Sequence, residues 1–263
     1  MKPIDYQIID YPVSRLATTD VGRFGLRKHS MFGLLEVDVT AARRHLRQLR
    51  REGREASFTA WMIKTIGDCV ARNPLVHALR GGRRTLIAFD DVDIALPIER
   101  IVEGKGVPLP LLIKQTNLRT MQDIQREIQE ALEKPISDER DFILSKHAFS
   151  TAAMRAYYAV PQAIRLLIWN RLFSNPFRAR RHSGTVMVTT VNAIGGSGWI
   201  LPTRTMHNLA LSLGSICRKP WVVDGELAVR DILNLTVTFN HDVIDGVPAR
   251  AFVQDLVRHL EHP

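Results

Sequence analysis

One histidine near the C-terminus has the setting of a general base. Residues Leu235 to Asn240 alternate apolar and polar side chains, which is typical of a strand, and His241 follows them directly. Histidine takes and returns protons near neutral pH, and a strand end holds its ring more rigidly than a loop would. Asp245 and Gly246 come next, where they favour a turn and a helix cap. The spacing predicts proton-transfer chemistry, although a hydrogen-bonded turn histidine would give the same short pattern.

The elements around this histidine predict the α+β class, with a mixed sheet and flanking helices. Strand patterns concentrate at both ends of the chain, and helix patterns lie between them. Predicted strands are 5–10, 33–39, 85–89, 92–97, 107–113 at a sheet edge, 185–191, 209–213, 221–223, 226–229 and 233–240. Predicted helices are 40–52 capped by Thr40, 57–71 with Ser57 or Thr59 as its N-cap, 118–132, a pair within 148–173, and 247–260.

Composition predicts an ordinary globular protein and excludes collagen-like and low-complexity classes. The chain has 263 residues, 45% hydrophobic and 24% charged, which suits a single domain spanning 1–263. We see no signal peptide and no apolar stretch long enough to span a membrane. Cys69 and Cys217 lie far apart in apolar surroundings and predict two reduced thiols. We therefore expect a cytoplasmic location, and no metal, because no His/Cys pair has ligand spacing.

The basic charge leaves the kind of partner open. The formal net charge is +9, which attracts nucleic acid, anionic lipid or phosphorylated cofactors alike. The densest basic run, Arg43–Arg51, has apolar residues at helical spacing, so a solvated helix face is favoured over a phosphate-binding face. No nucleic-acid-reading module is recognisable, so no nucleic-acid partner is expected.

Residues 136–182 are the least ordinary stretch. Residues 148–173 are apolar, carry three arginines and are interrupted by Pro161, and a basic segment, 175–182, follows. We favour two core helices broken at Pro161 and followed by a surface loop. The alternative is an amphipathic segment, 148–182, that contacts a membrane peripherally. His77, His147 and His207 have no partner pattern and are interpreted as structural or surface residues.

Four blocks in order resemble the catalytic domain of the dihydrolipoyl acyltransferases of 2-oxoacid dehydrogenase complexes. Asn240–Gly246 is similar to their Asp-His-Arg-x-x-Asp-Gly signature and to the His-His-x-x-x-Asp-Gly signature of chloramphenicol acetyltransferase, which shares the fold. Residues 35–40 (Leu-Glu-Val-Asp-Val-Thr) are similar to the start of the first helix of that domain. Residues 184–196 are similar to its Gly-Thr-Phe-Thr-Ile-Ser-Asn-Leu-Gly strand and turn, and the helix from Ser57 follows the expected order.

The resemblance implies acyl transfer between coenzyme A and a thiol, hydroxyl or amine, with His241 as base and without a metal. It places the oxyanion-stabilising hydroxyl at Thr189, with Thr190 as the adjacent alternative. It makes Asp245 a structural residue held by an N-terminal arginine, for which Arg15 is the first candidate, before Arg23 and Arg27. It also implies a homotrimer or a trimer-based cage with active sites between subunits.

Departures from the family pattern define a rival hypothesis. Asn240 and Asp242 replace the usual Asp and Arg beside the histidine, and 136–182 is an atypical insert. We find no lipoyl or subunit-binding domain, so we expect a free-standing catalytic domain whose acceptor is a small molecule or a lipoyl group on a separate protein. The rival is a non-catalytic trimeric scaffold or binding protein that retains the fold.

Overall fold

A computed structural model describes residues 6–8, 11, 14–102, 105–134, 151–190, 196–202 and 204–263. Its α-helices are α1 Ser14–Gly25, α2 Thr40–Arg51, α3 Phe58–Arg72, α4 Met121–Glu133, α5 Thr151–Ala159, α6 Gln162–Phe173, α7 Pro176–Ser183 and α8 Gly246–Glu261. Its strands are β1 Ser30–Asp38, β2 Leu79–Arg80, β3 Leu86–Ile87, β4 Ile94–Val102, β5 Lys105–Ile113, β6 Val186–Thr190, β7 Leu209–Val223 and β8 Glu226–Asn240.

The main sheet has six strands in the order β1-β8-β7-β6-β4-β5. Strand β6 runs parallel to both of its neighbours, whereas the other pairs are antiparallel. The predicted α+β class with a mixed sheet is therefore confirmed. Strand β5 lies at the sheet edge, as its prolines at 108 and 110 predict, because proline cannot donate a ladder hydrogen bond.

The two faces of the sheet have different partners. Alternate residues such as Val188, Leu211 and Val237 form one face, which joins the main core under α2, α3, α4 and α8. We call the opposite side the second face. Ala95 and Met187 lie on it, and α1 and α6, which pack on each other, cover its β4–β6 part.

A long hairpin carries the C-terminal histidine. Strands β7 and β8 pair from Val223 opposite Glu226 to Leu209 opposite Phe239. The predicted turn at Asp224 and Gly225 is confirmed, with φ angles of 52° and 86° that match a type I′ hairpin turn. Segments predicted as separate short strands are thus two continuous strands of 15 residues each.

Two local predictions need correction. Thr40 does not cap α2 with its side chain, because its hydroxyl accepts a hydrogen bond from the backbone N–H of Asp231 (2.7 Å) instead. The strand predicted at 85–89 is reduced to Leu86–Ile87, which pairs with β2 and not with the main sheet. The predicted helix at 57–71 is confirmed as α3, and the Ser57 side chain accepts from the N–H of Ala60 as its N-cap.

The insert folds as helices in its described part. Helices α5 and α6 are separated at Pro161, as predicted, but they are not core helices, because α6 buries only Arg165 and Trp169 and the described side chains of α5 are exposed or half-buried. Residues 175–182 are not a loop. Asn175 accepts hydrogen bonds from two backbone N–H groups and thereby starts α7. Among the helices that the structure describes, none has the length and apolar character needed to cross a membrane. Residues 135–150, including His147, and half of the predicted strand 5–10 (residues 5, 9 and 10) lie outside the described residues, and residues 6–8 are not in a strand.

Candidate active site

His241 lies immediately beyond the end of β8, held by its backbone. Its N–H donates to the carbonyl of His29 (2.7 Å), in the segment between α1 and β1. The His241 side chain is 53% exposed, and its Nδ1 lies 3.8 Å from an oxygen of Asp245. Asp245 is the N-cap residue of α8, which begins at Gly246, but its carboxylate makes no capping hydrogen bond. The His241 ring is therefore accessible to solvent. The backbone of His241 is held by β8, which it directly follows, and by its hydrogen bond to His29.

A buried amide pair supports this backbone. The Asn240 Nδ2 donates to the Oδ1 of Asn208 (2.9 Å), and the Asn208 Nδ2 donates to the carbonyl of Ala78 (2.7 Å). The Lys28 Nζ donates to the same Asn208 oxygen (3.0 Å) and to the carbonyl of Met206. Desolvation lowers the pKa of Lys28 to about 7, although the charge of Asp242 opposes this shift. Lys28 and Asn208 carry no local sequence signal and were missed.

Asp242, which replaces the usual arginine, has a partner of its own. Its Oδ1 lies 2.7 Å from the Nδ1 of His29, on the exposed side of the loop. The hydrogen bond to Asp242 and its charge raise the pKa of His29, and the hydrogen bond from His29 lowers the pKa of Asp242. The aspartate that stands at position 242 in place of arginine is therefore paired with His29 across the loop.

Thr189 begins a row of hydroxyls on the second face. It pairs with Ser212 on β7, which pairs with Thr236 on β8. The hydroxyls of Ser212, Thr236 and the neighbouring Thr238 are buried, with no hydrogen-bond partner among the residues that the structure describes. The Thr189 side chain is half-buried, and its hydroxyl has no partner within the described chain. Thr190, the next residue of β6, points to the opposite face of the sheet.

Thr189 and His241 of one chain lie far apart. Thr236 stands two strands from Thr189, and His241 is five residues beyond Thr236. Strand spacing and rise then separate the two by about 20 Å. Arg15 is exposed on α1, and within the described residues Asp245 forms its ion contact with His241 and not with Arg15, Arg23 or Arg27. The structure therefore brings His241, Asp245, Asn240 and Gly246 together, whereas Thr189, Thr190 and Arg15 lie elsewhere in the chain.

His77 and His207 have structural contacts. His77 bonds to Thr185 (2.8 Å) and to the carbonyl of Phe89 (3.0 Å), and burial lowers its pKa to about 4. His207 bonds to the carbonyl of Ser183 (2.8 Å), and burial again lowers its pKa to about 4. Both rings are neutral near pH 7, which agrees with their structural interpretation.

A second cluster has potential metal ligands but holds an arginine. Cys69, Asp255 and His259 bring one ligand atom each within 4.8 Å of one another. Arg72 donates to the Cys69 Sγ (3.2 Å), to the Asp255 Oδ2 (3.0 Å) and to the His259 ring. Burial raises the pKa of Cys69 to about 12, so the thiol keeps its proton. A cation would have to displace this guanidinium.

The comparisons with known proteins agree on one family. Residues 181–263, which contain His241 and Asp245, match the model of the 2-oxoacid dehydrogenases acyltransferase catalytic domain. Residues 181–263 are therefore similar to the catalytic domain of this family. The recognition of this family from the four sequence blocks is therefore confirmed.

Individual relatives extend the likeness over most of the chain. The lipoamide acyltransferase component of a branched-chain alpha-keto acid dehydrogenase complex from Pseudomonas aeruginosa is 33% identical over 89 residues, covering 33% of this chain and 21% of that protein. The acetyltransferase component of the Bacillus subtilis pyruvate dehydrogenase complex is 24% identical over 219 residues, covering 73% and 49%. The chain thus spans half or less of the length of these two relatives.

A solved structure confirms the fold that the resemblance implied. The crystal structure of a probable dihydrolipoamide acetyltransferase from Listeria monocytogenes has a TM-score of 0.69 and 20% identity, covering 98% of this chain and 94% of that one. The structural likeness covers nearly the whole chain, although the family model begins only at residue 181.

Proposed function

We propose that this chain is a coenzyme A-dependent acyltransferase with His241 as its general base. The observation that carries the proposal is the half-exposed His241 ring, fixed at the end of β8 inside a segment that matches an acyltransferase catalytic domain. A general base must reach solvent-borne substrate and yet be held in place, and this ring has both properties.

The proposed reaction needs one proton relay. Neutral His241 removes the proton from the attacking thiol, hydroxyl or amine of the acceptor, which then attacks the acyl carbonyl of acyl-CoA. Collapse of the tetrahedral intermediate breaks the carbon–sulfur bond, and the imidazolium returns the proton to the sulfur of coenzyme A. We assign Nε2 as the base, because the oxygen of Asp245 lies on the Nδ1 side of the ring, 3.8 Å away. No metal takes part in this scheme.

The oxyanion of the tetrahedral intermediate requires a hydrogen-bond donor. We assign this role to the unpartnered hydroxyl of Thr189 of a neighbouring copy, with Thr190 as the alternative. The separation of about 20 Å within one chain supports this assignment, because only an oligomer can join the two residues. A homotrimer or a trimer-based cage is the proposed assembly, with Arg15 as the proposed partner of Asp245 in it.

The setting of the reaction follows from the same proposal. Acyl-CoA is the donor, and a small molecule or a lipoyl group on a separate protein is the acceptor. We place the protein in the reducing cytoplasm, which suits the free thiols of Cys69 and Cys217. The chain acts as one catalytic domain in this scheme.

Acyl transfer to free dihydrolipoamide tests the proposal, with released coenzyme A as the readout. Wild type is compared with His241→Ala and with a matched control, His45→Ala, at an exposed histidine of α2. We expect His241→Ala to lose about 100- to 10,000-fold in turnover at unchanged oligomeric mass, and His45→Ala to retain it. Equal turnover in all three would reject His241 as the base.

The non-catalytic scaffold is the second candidate. The loop around His241 favours it, because the usual Arg position is Asp242 and pairs with His29 rather than facing a substrate. A scaffold predicts no coenzyme A binding and no turnover in wild type, whereas binding without turnover would indicate that dihydrolipoamide is the wrong acceptor.

A further inference from the structure

A cavity separates α1 and α6 from the second face of the sheet. It opens to the surface, because Thr18, Pro108 and Arg204 line it and are exposed. Its walls are mostly apolar and come from both helices and from strands β4, β5 and β6: Val21, Pro97, Leu112, Trp169, Phe173 and Met187. The described part of the atypical insert therefore builds one wall of this cavity.

The cavity has room for a small organic group. Its volume is about 220 Å³. An apolar cavity of about 150 Å³ is large enough for benzene. An extended chain of about six carbons or a substituted aromatic ring is therefore the size of occupant that we expect.

The buried polar side chains of the cavity, Thr205 and His207, already have hydrogen-bond partners and do not require a charged ligand. The His207 ring bonds to the carbonyl of Ser183 (2.8 Å), and its backbone N–H donates to Thr205 (3.1 Å). Burial holds the pKa of His207 at about 4, so the ring is neutral near pH 7. The one fully charged side chain among the described lining residues, Arg204, is exposed at the mouth. An uncharged occupant therefore fits the interior.

The position of the cavity relates it to the candidate active site. Met187, in its wall, lies on the same face of β6 as Thr189, two residues or about 7 Å away. Met206, also in its wall, has its carbonyl held by Lys28, which also bonds to Asn208 beneath Asn240. The cavity thus borders Thr189 of one proposed site, which His241 of a neighbouring copy completes, and also lies near the backbone support of this chain's own His241, which belongs to another site of the oligomer.

We propose that this cavity binds the apolar tail of the acyl group, so that the enzyme prefers acyl chains of about six carbons or aromatic acyl groups over acetyl. The identity of the occupant as an acyl group rests on the proposed function. The existence of an apolar binding site does not depend on it. Each methylene that leaves water for an apolar site strengthens binding by about fourfold. Allowing for incomplete burial, hexanoyl should bind at least about tenfold more tightly than acetyl.

Calorimetry with acetyl- and hexanoyl-pantetheine tests the cavity without requiring turnover. The probes bind to wild type and to His241→Ala, because binding needs no proton transfer. Ala95→Leu fills the cavity from β4, and Leu172→Ala enlarges it from α6. The matched controls are Ala41→Leu on α2 and Leu167→Ala on α6, both at exposed positions outside the cavity.

We expect the hexanoyl preference in wild type, His241→Ala and both controls. Ala95→Leu should abolish it, and Leu172→Ala should shift it towards octanoyl-pantetheine. Equal binding of the acetyl and hexanoyl probes, or a preference that neither cavity variant changes, overturns the inference. If wild type transferred no acyl group from any acyl-CoA donor but still bound hexanoyl-pantetheine more tightly than acetyl-pantetheine, the proposed function would be rejected. The apolar binding site would remain.

Discussion

Asp20 on α1 and Arg165 on α6 form a buried ion pair, with 2.6 Å between Oδ2 and Nε. Their side chains are 0% and 7% exposed. Tyr157 and Gln162 also donate to the carboxylate, at 2.6 and 3.0 Å. Burial raises the pKa of Asp20, but the hydrogen bonds from Arg165 and these two residues outweigh it and leave the pKa below its ordinary value. This cluster ties the insert to the N-terminal helix.

Arg165→Met should destabilise the protein strongly. It leaves a buried carboxylate without its cation, which typically lowers the free energy of unfolding by about 3–5 kcal/mol. Urea unfolding at pH 7 measures the loss. Arg171→Met, at an exposed position of the same helix, is the control and should change stability by less than about 0.5 kcal/mol. A stability of Arg165→Met close to that of this control would show that the pair does not anchor the insert.

The pair of His29 and Asp242 predicts a pH-dependent contribution to stability. The pKa of His29 is raised above 6.5, so its stabilisation is complete below 6.5 and is lost as pH rises through the raised pKa. The pKa of Asp242 is lowered below 3.8, so its stabilisation is lost only in stronger acid. His29→Ala should therefore cost more stability at pH 5.5 than at pH 8.5.

Urea midpoints of wild type and His29→Ala at the two pH values measure this difference. The effect should be small, because both side chains reach solvent. In an Asp242→Asn background, His29→Ala should change the urea midpoint by the same amount at pH 5.5 and at pH 8.5. A cost of His29→Ala that is larger at pH 8.5 would have the wrong sign for this pair.

Asn208 should matter for both stability and turnover. Asn208→Ala removes the acceptor of Asn240 and Lys28 and the donor to Ala78, so buried polar groups are left unpaired. We expect a loss of about 1–3 kcal/mol in the free energy of unfolding. Because Asn240 precedes His241, kcat should fall while KM for acyl-CoA changes little. Steady-state kinetics below the unfolding range measure this split, and a change confined to KM would mean that Asn208 acts on substrate binding instead.

Local sequence patterns were sufficient to predict the end of β8, which carries His241, and the position of Asp245 at the start of α8. Alternation in 233–240 marks β8, and the spacing to Asp245 and Gly246 marks the following cap and helix. The same local information failed at Thr40, whose hydroxyl is taken by Asp231, a residue 191 positions away. Capping preferences describe one helix, and they yield when a distant backbone group needs an acceptor.

The support beneath the histidine could not be predicted. Lys28 meets Asn208 across 180 positions, and Ser212 joins Thr189 only through strand register. No spacing rule connects such residues, because the pairing of β6, β7 and β8 brings them together. The cavity beside Met187 has the same origin, since its walls come from α1, α6 and three strands.

The central claim is that two chains together build one acyltransferase site. Complementation between two inactive variants tests this claim most directly. His241→Ala and Thr189→Val are prepared separately, then unfolded together in equal amounts and refolded, and coenzyme A release to dihydrolipoamide is measured. Each variant alone should be inactive. Random mixing pairs an intact His241 with an intact Thr189 at about a quarter of the interfaces, so about a quarter of wild-type turnover should return. Mixed oligomers without turnover, or a fully active monomer of the wild type, would contradict the account.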